Sequence, residues 1–270
     1  MKKFRKILAL VLAAAFCMSF AACNKETPEE KSTNGDSTAA DTATADTPAA
    51  NGKLVMATNA SFPPYEFYEN EKIVGIDAEI AELIAQKLGK ELEIKDMEFD
   101  SIIGSVQTGA VDIGMAGMSV TEDRLVSVDF SDPYATAKQV IIVKDGSGIE
   151  SGDDLKDKKI GVQLSTTGDI YASDDFGEEN VKKYNKGNDA VAALVSGVVD
   201  AVIIDNEPAK SFVAENDGLK ILEASYADEE YAIAINKKNT ELKDQINNAL
   251  KELKDDGSID KIVDKYIKAE

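Results

Sequence analysis

No histidine occurs anywhere in the 270 residues. That absence removes Ser–His and Cys–His catalysis and the commonest zinc ligand together. Cysteine is almost as scarce: Cys17 and Cys23 are the only two, and a cut before Cys23 would leave no pair to form a disulfide, although an exported location would permit one. Positive charge is also short, with 30 Lys and Arg against 50 Asp and Glu and a formal net charge of -20. Such a surface opposes nucleic acid and anionic lipid headgroups, so no nucleic-acid partner is expected, and neither a metal nor a cofactor is implied. Large aliphatic residues are missing from 24–52, a stretch of Thr, Ala, Asp, Glu, Pro and Gly. It cannot bury enough apolar surface to offset its chain entropy and reads as a tether.

What is present begins with an address. Lys2, Lys3, Arg5 and Lys6 precede an uncharged apolar run from Ile7 to Ala22, which ends in small residues. The run is about 16 residues, against the roughly 20 that a membrane-spanning helix needs, and the pattern is that of a secretory signal peptide over residues 1–22. Phe20-Ala21-Ala22-Cys23 resembles the bacterial lipobox, which implies a lipid on Cys23 and attachment to the outer face of the cytoplasmic membrane, with the tether at 23–52.

From Lys53 onward, apolar patterns alternate in period. Short runs at Leu54–Thr58, Leu92–Met97 and Val111–Met115 read as strands, and helices are expected at Asp77–Leu88 and Asp100–Thr108, ended by Gly89 and Gly109. The grammar recurs after Gln139, with strands at Val140–Val143, Ile160–Gln163, Val181–Tyr184 and Val199–Ile204 separated by helices near 168–174, 189–196 and 207–216. A strand at Tyr231–Ile235 and two helices, 242–253 and 259–266, close the chain. The expectation is an α/β fold with mostly parallel strands. SVQTGAVDIGM (105–115) and LVSGVVDAVII (194–204) share one order: helix end, glycine, Val-Asp, apolar strand. That order suggests two related halves, but any helix-to-strand turn has it.

Two loops carry the chemistry. Ala116 to Arg124 follows a strand end, where ligands of open α/β sheets sit. Gly117 admits close approach, Ser119 donates and accepts, and Arg124 at a helix start offers a fork for a carboxylate. The alternative is a surface Arg124 paired with Glu122 or Asp123 behind an N-capping Thr121. Gln163 to Gly168 is the second loop; Thr166 and Thr167 there present backbone N–H groups to an anion or simply cap a helix. Asp205 ends a strand at the matching edge, as an N-cap or as a fixed negative charge for an ammonium group. Phe62 and Phe99 lie in loops, as core residues or as pocket walls.

Six segments in one order then resemble a known family: ATNASFPPYEF (57–67), VGIDAEIAELIAQKLG (74–89), EFDSIIGSVQTGAVDIGMAGMSVTEDR (98–124), VDFSDPY (128–134), DAVIID (200–205) and DDGSIDKIVDKY (255–266). Over about 53–268 the chain resembles the amino-acid-binding, family 3 extracellular solute-binding proteins of polar amino-acid ABC importers. The resemblance implies a two-lobed periplasmic-binding-protein-like fold of type II, with lobe 1 at 53–133 plus 232–270, lobe 2 at 139–226, and hinges near 134–138 and 227–231. It implies no catalysis and a monomer whose partners are a free amino acid and a membrane permease. Arg124, Ser119 and the backbone at Thr166 and Thr167 would hold the α-carboxylate. Asp205, the Gly117 carbonyl and Ser119 would hold the α-ammonium, and Phe62 and Phe99 would sandwich the stem. Asn59 and Gln163, both neutral, would face the side chain, which implies a polar uncharged ligand such as glutamine or cystine. A basic amino acid reached by Glu66 or Asp77 is the alternative, and an enzyme of dehydratase type on the same fold is the rival class.

Overall fold

The structure is a computed structural model that describes residues 52–267. The expected signal peptide, the lipidated Cys23 and the tether up to Asn51 lie outside the described residues.

The chain opens with β1 (Lys53–Thr58), then a small antiparallel sheet of β2 (Ser61–Phe62), β3 (Glu66–Glu69) and β4 (Lys72–Val74). α1 (Ile76–Lys87), β5 (Glu91–Asp96), α2 (Phe99–Thr108), β6 (Ile113–Gly114), α3 (Glu122–Ser127) and β7 (Asp129–Phe130) follow. A long β8 (Ala135–Lys144) leads into a second unit: β9 (Ile160–Gln163), α4 (Thr167–Phe176), β10 (Val181–Tyr184), α5 (Gly187–Ser196), β11 (Ala201–Asp205), α6 (Asn206–Glu215) and β12 (Leu219–Ile221). β13 (Ala227–Tyr231) brings the chain back to β14 (Ala234–Ile235), α7 (Thr240–Asp255) and α8 (Ser258–Tyr266).

Two sheets result, one per lobe: β5-β1-β6-β14-β7, and β10-β9-β11-β8-β12 with β13 also paired to β8. The strands are not mostly parallel, as the alternation of elements suggests. β1 is parallel to β5 and β6, and β9 to β10 and β11, but every pairing of β8 or β14 is antiparallel. The reason is topological. The chain leaves the first sheet through β8 and returns through β13, so each departing or returning strand enters its sheet against the local direction.

Helices cover both faces of each sheet. Ile80 and Ile84 of α1 share one core with Ile246 and Leu250 of α7 and Ile259 of α8, while Ile102 and Val106 of α2 pack with Val128 on the other face. In the second lobe, Leu194 of α5 and Phe212 of α6 lie on one side, and Ala172 of α4 with Leu155 on the other. The shared helix-glycine-strand pattern has a structural counterpart. Gly109 and Gly197 end ten-residue helices in the same left-handed geometry (φ 77°, ψ 20° and 21°). The strands that follow, β6 and β11, each pair with one parallel and one antiparallel neighbour.

Several expectations change. The strand expected at Tyr231–Ile235 is two strands, because the chain passes from one sheet to the other at 232–233. Phe62 ends β2 and Phe99 opens α2, so neither is in a loop. Pro63-Pro64 forms a turn with a cis Pro63–Pro64 peptide, in which Tyr65 N–H donates to the Phe62 carbonyl at 2.9 Å.

Gly75 starts α1 at φ 125°, ψ -179°, a region open in practice to glycine alone. A Cβ there would lie 2.2 Å from the Tyr65 carbonyl oxygen. Gly89, at φ 65°, has nothing within 4 Å. Urea denaturation should therefore show Gly75→Ala losing well over the ~1 kcal/mol expected of Gly89→Ala, since only the first adds a backbone clash to the dihedral cost of about 1–3 kcal/mol. Equal losses would contradict the close approach.

Candidate functional site

The C-terminal edges of the two sheets face each other across a cleft that is closed down to a cavity of about 10 Å³, room for about one water. Asn59, Phe62, Phe99, Gly117, Ser119, Arg124, Gln163, Thr166, Thr167 and Asp205 all line it, together with Glu66 and Ala116. Residues far apart in sequence are thus brought to one cavity, the first six from one lobe and the other four from the second.

Arg124 is the central feature. Thr121 does cap α3, accepting from Arg124 N–H at 3.2 Å, but the guanidinium is not a surface group: Arg124 is 8 % exposed. It donates to the Ser119 carbonyl at 2.7 Å and to the Ser165 carbonyl across the cleft at 3.0 Å, and lies 5.3 Å from the centre of the Phe99 ring. Among the described residues no carboxylate is within ion-pair distance of it. Burial pushes its pKa down, while the fields of Glu229 and Asp205 push it up. Two of its five N–H donors go to neutral carbonyls, so a buried cation is left without an anion, an arrangement that is costly until one arrives.

Gly117 owes its place to Phe62, whose ring would be 2.7 Å from any Cβ at that position, and to φ 53°. Its N–H donates to Asp77 Oδ2 at 2.9 Å, and the Tyr134 hydroxyl donates to the same oxygen at 2.8 Å. Asp77 also meets Glu66 carboxyl to carboxyl, both fully buried. Glu66 Oε2 and Asp77 Oδ1 have no hydrogen-bond partner, and a proton retained by Glu66 would let the two carboxyls share a hydrogen bond. Burial, then Asp77, raises the Glu66 pKa well above the carboxylate range; burial raises Asp77 to about 6 against the donors that lower it.

On the second lobe, Thr166 caps α4, accepting from Asp169 N–H at 3.3 Å. Asn59 and Gln163 meet across the cleft: Gln163 Nε2 donates to Asn59 Oδ1 at 2.9 Å, while Asn59 Nδ2 donates to the Met97 carbonyl at 2.8 Å. Asp205 sits at the N-cap of α6 but its side chain caps nothing; Oδ1 accepts instead from the Tyr231 hydroxyl. Burial, reinforced by the charge of Glu229, raises its pKa to about 7.

Residues of the crossing strands are not legible as site residues in sequence. Glu229 of β13 accepts on Oε2 from Ser119 Oγ of the first lobe and from Gln139 Nε2 of β8, each at 3.0 Å, and Gln139 Nε2 also reaches Thr167 Oγ1 at 3.3 Å. Glu229 lies in an acidic run, Asp228 to Glu230, that reads as solvated surface, and Tyr231 opens a strand that reads as core. Among the described residues no cluster is placed to hold a metal ion.

With this geometry in hand, the comparisons decide the family. The profile of the bacterial extracellular solute-binding proteins, family 3, matches residues 54–269. The chain belongs to that family. The arginine-binding extracellular protein ArtP of Bacillus subtilis (strain 168) is 34% identical over 275 residues, covering 98% of this chain and 99% of its own. The arginine-, lysine-, histidine-binding protein ArtJ from the thermophile Geobacillus stearothermophilus shares the fold at a TM-score of 0.77 and 38% identity, over 81% of this chain and 96% of its own. An ancestral arginine-binding protein bound to glutamine does so at 0.76 and 44%, over 81% and 99%. The family 3 chain therefore has the type II periplasmic-binding-protein fold and is a transport receptor rather than an enzyme.

The raised carboxyl pKa values have a consequence for stability. Asp77 and Asp205 hold their protons to about pH 6 and 7 when folded, against roughly 4 in the unfolded chain. Between these limits the folded chain binds more protons, so stability falls as pH rises. The thermal midpoint without ligand should climb as pH is lowered from 8 toward 5, and Asp205→Asn should flatten the slope. An unchanged slope in that variant would contradict the burial of Asp205 as a charge.

Proposed function

We propose that this family 3 protein is a lipid-anchored receptor that closes on a free basic amino acid, arginine first, and presents it to the permease of an ABC importer. The observation that carries the choice of ligand is the charge of the cleft. Among the described residues Arg124 is the one cation lining the cleft, against two lining carboxyls, Asp205 and Glu66, with Asp77 and Glu229 buried behind them, so that acids outnumber cations in the sum. A zwitterion adds nothing to that sum, whereas a cationic side chain offsets part of it. In this reading the α-carboxylate takes the free donors of Arg124 with help from Ser119 and the Thr166–Thr167 backbone. The α-ammonium lies between Asp205, Ser119 and the Gly117 carbonyl, Phe62 and Phe99 hold the stem, and the cationic head reaches Glu66. Because Arg124 and Asp205 belong to different lobes, 53–133 plus 232–270 and 139–226, ligand favours the closed form through hinges near 134–138 and 227–231.

A neutral ligand such as glutamine is the second reading. It is favoured by the Asn59–Gln163 pair, which offers amides and no charge at the same end of the cleft, and by the glutamine-bound relative. The names of the relatives span arginine, histidine, cystine and glutamine.

A thermal-shift panel of amino acids on the purified chain, refolded to strip ligand, separates the two. A ligand at about a hundredfold its Kd adds roughly 2.7 kcal/mol. Arginine or lysine should give the largest shift, and Glu66→Gln should weaken these at least ~10-fold while sparing any glutamine response, as for loss of a charged partner. A shift with glutamine alone would reverse the assignment. Arg124→Ala should abolish binding of every amino acid, and retained affinity would remove Arg124 from the carboxylate site. For the anchor, Cys23→Ser should move the protein from the membrane fraction to the medium; continued membrane retention would refute lipidation there.

A further inference from the structure

An aspartate at a helix N-cap ordinarily accepts from an N–H of the first turn. Asp205 holds that position on α6 and makes no such bond. Its Oδ1 accepts from Tyr231 Oη at 2.5 Å, so a donor comes from the strand between the lobes. Tyr231 has little freedom to do otherwise. It is 0 % exposed, its ring meets Tyr65 edge-on at 5.0 Å and Tyr134 at 6.3 Å, and its backbone pairs with Ala135 and bridges to Ser119. The phenol is thus fixed by both crossing strands and by the loop that carries Ser119.

We infer that Tyr231 is a positioning residue for ligand binding: its hydroxyl holds the Asp205 carboxyl turned into the cleft, where the α-ammonium would meet it. The inference rests on the proposed assignment of Asp205 to the ammonium group. Its physical basis is the competition around the carboxylate. Burial and the like charge of Glu229 on β13 favour protonation and Arg124 of α3 opposes them; Glu66 of β3, itself pushed toward its protonated form by Asp205, faces the group, as do Tyr65 and Tyr171 as neutral phenols. Against that balance the hydrogen bonds from Tyr231 and Gln139 pull the pKa down, and it still stands raised at about 7. Removing the Tyr231 donor lets the proton stay on at higher pH, and a neutral carboxylic acid is a poor partner for an ammonium group.

The alternative is that the hydroxyl merely satisfies itself, as buried tyrosines must. The two roles differ in pH dependence. Calorimetric titration with L-arginine, or with L-glutamine should arginine not bind, is carried out from pH 5.5 to 9 on the parent, Tyr231→Phe, Asp205→Asn and the double variant. Tyr231→Phe should weaken binding about tenfold or more at pH 7.5, as for a lost hydrogen bond to a charged group, and should move the acid-side loss of affinity to higher pH. On the Asp205→Asn background the same change should have little further effect. 3-Fluorotyrosine at position 231, a stronger donor of nearly the same shape, should move the loss to lower pH and serves if the Phe variant does not fold.

A uniform weakening with the parent pH profile, parent affinity in Tyr231→Phe, or full additivity in the double variant would each overturn the inference. So would an unmoved profile with fluorotyrosine. Parent affinity in Asp205→Asn would instead overturn the ammonium assignment beneath it, so the two failures are distinguishable.

Discussion

The guanidinium of Arg124 is the constraint around which the cleft is arranged. A cation taken out of water needs an anion or a full set of hydrogen bonds, and Arg124 has two carbonyls and an aromatic face. One carbonyl comes from each lobe, so its hydrogen bonds tie the lobes together without neutralising its charge. Neighbouring features follow from aiming that group inward. Thr121 starts α3 at the right place, Phe99 opens α2 beneath the guanidinium, and the left-handed Gly117 turns the preceding loop under the Phe62 ring. A surface arginine in an exposed salt bridge would require none of these.

The two crossing strands add a second layer. Tyr134, just before β8, donates to Asp77; Tyr231, ending β13, donates to Asp205; and Glu229 accepts from a residue of each lobe. The buried acids of both lobes are therefore bonded to the segments on which the lobes would turn. Rotation of one lobe against the other cannot leave these bonds untouched, because their donors and acceptors do not belong to the same rigid body. In the proposed mechanism this couples electrostatics to closure: ligand charge, carboxyl protonation and strand geometry settle together.

Much of this was readable beforehand, for identifiable reasons. Ile80, Ile84, Ile246 and Leu250 announce their helices by spacing, and all are buried. The residues expected at the cleft follow strand ends, where an α/β architecture gathers them whatever their distance in sequence. What was missed lacks a local signal. The antiparallel half of each sheet depends on where the chain crosses between lobes, which periodicity does not encode. β2 and β6 have two residues each, too short for any period. Glu229 sits in an acidic run of the kind found on any solvated surface, and Tyr231 in an apolar run like any core strand. Their roles come from partners more than a hundred residues away (Ser119) or in the opposite lobe (Asp205), so only the assembled structure displays them.

The same reasoning explains why selectivity is the last property that residue types disclose. Asn59 and Gln163 are neutral at any pH, and from sequence they set the expected ligand as neutral. In the structure they spend polar atoms on each other and on the Met97 and Asn185 carbonyls, which reduces what they offer a guest. Glu66 has the opposite history. It reads as one acid among fifty, yet it is buried at the cleft beside Asp77, and burial and that neighbour push its pKa up. Protonated, Glu66 presents a neutral carboxyl that can serve an amide; ionised, it is an anion that can serve a guanidinium or ammonium group. The ligand's own charge shifts that balance, since a cation nearby stabilises the ionised form. In the proposed mechanism selectivity therefore depends on the free energy of removing one proton from the buried carboxyls, which is governed by burial and neighbours rather than by the letters at those positions.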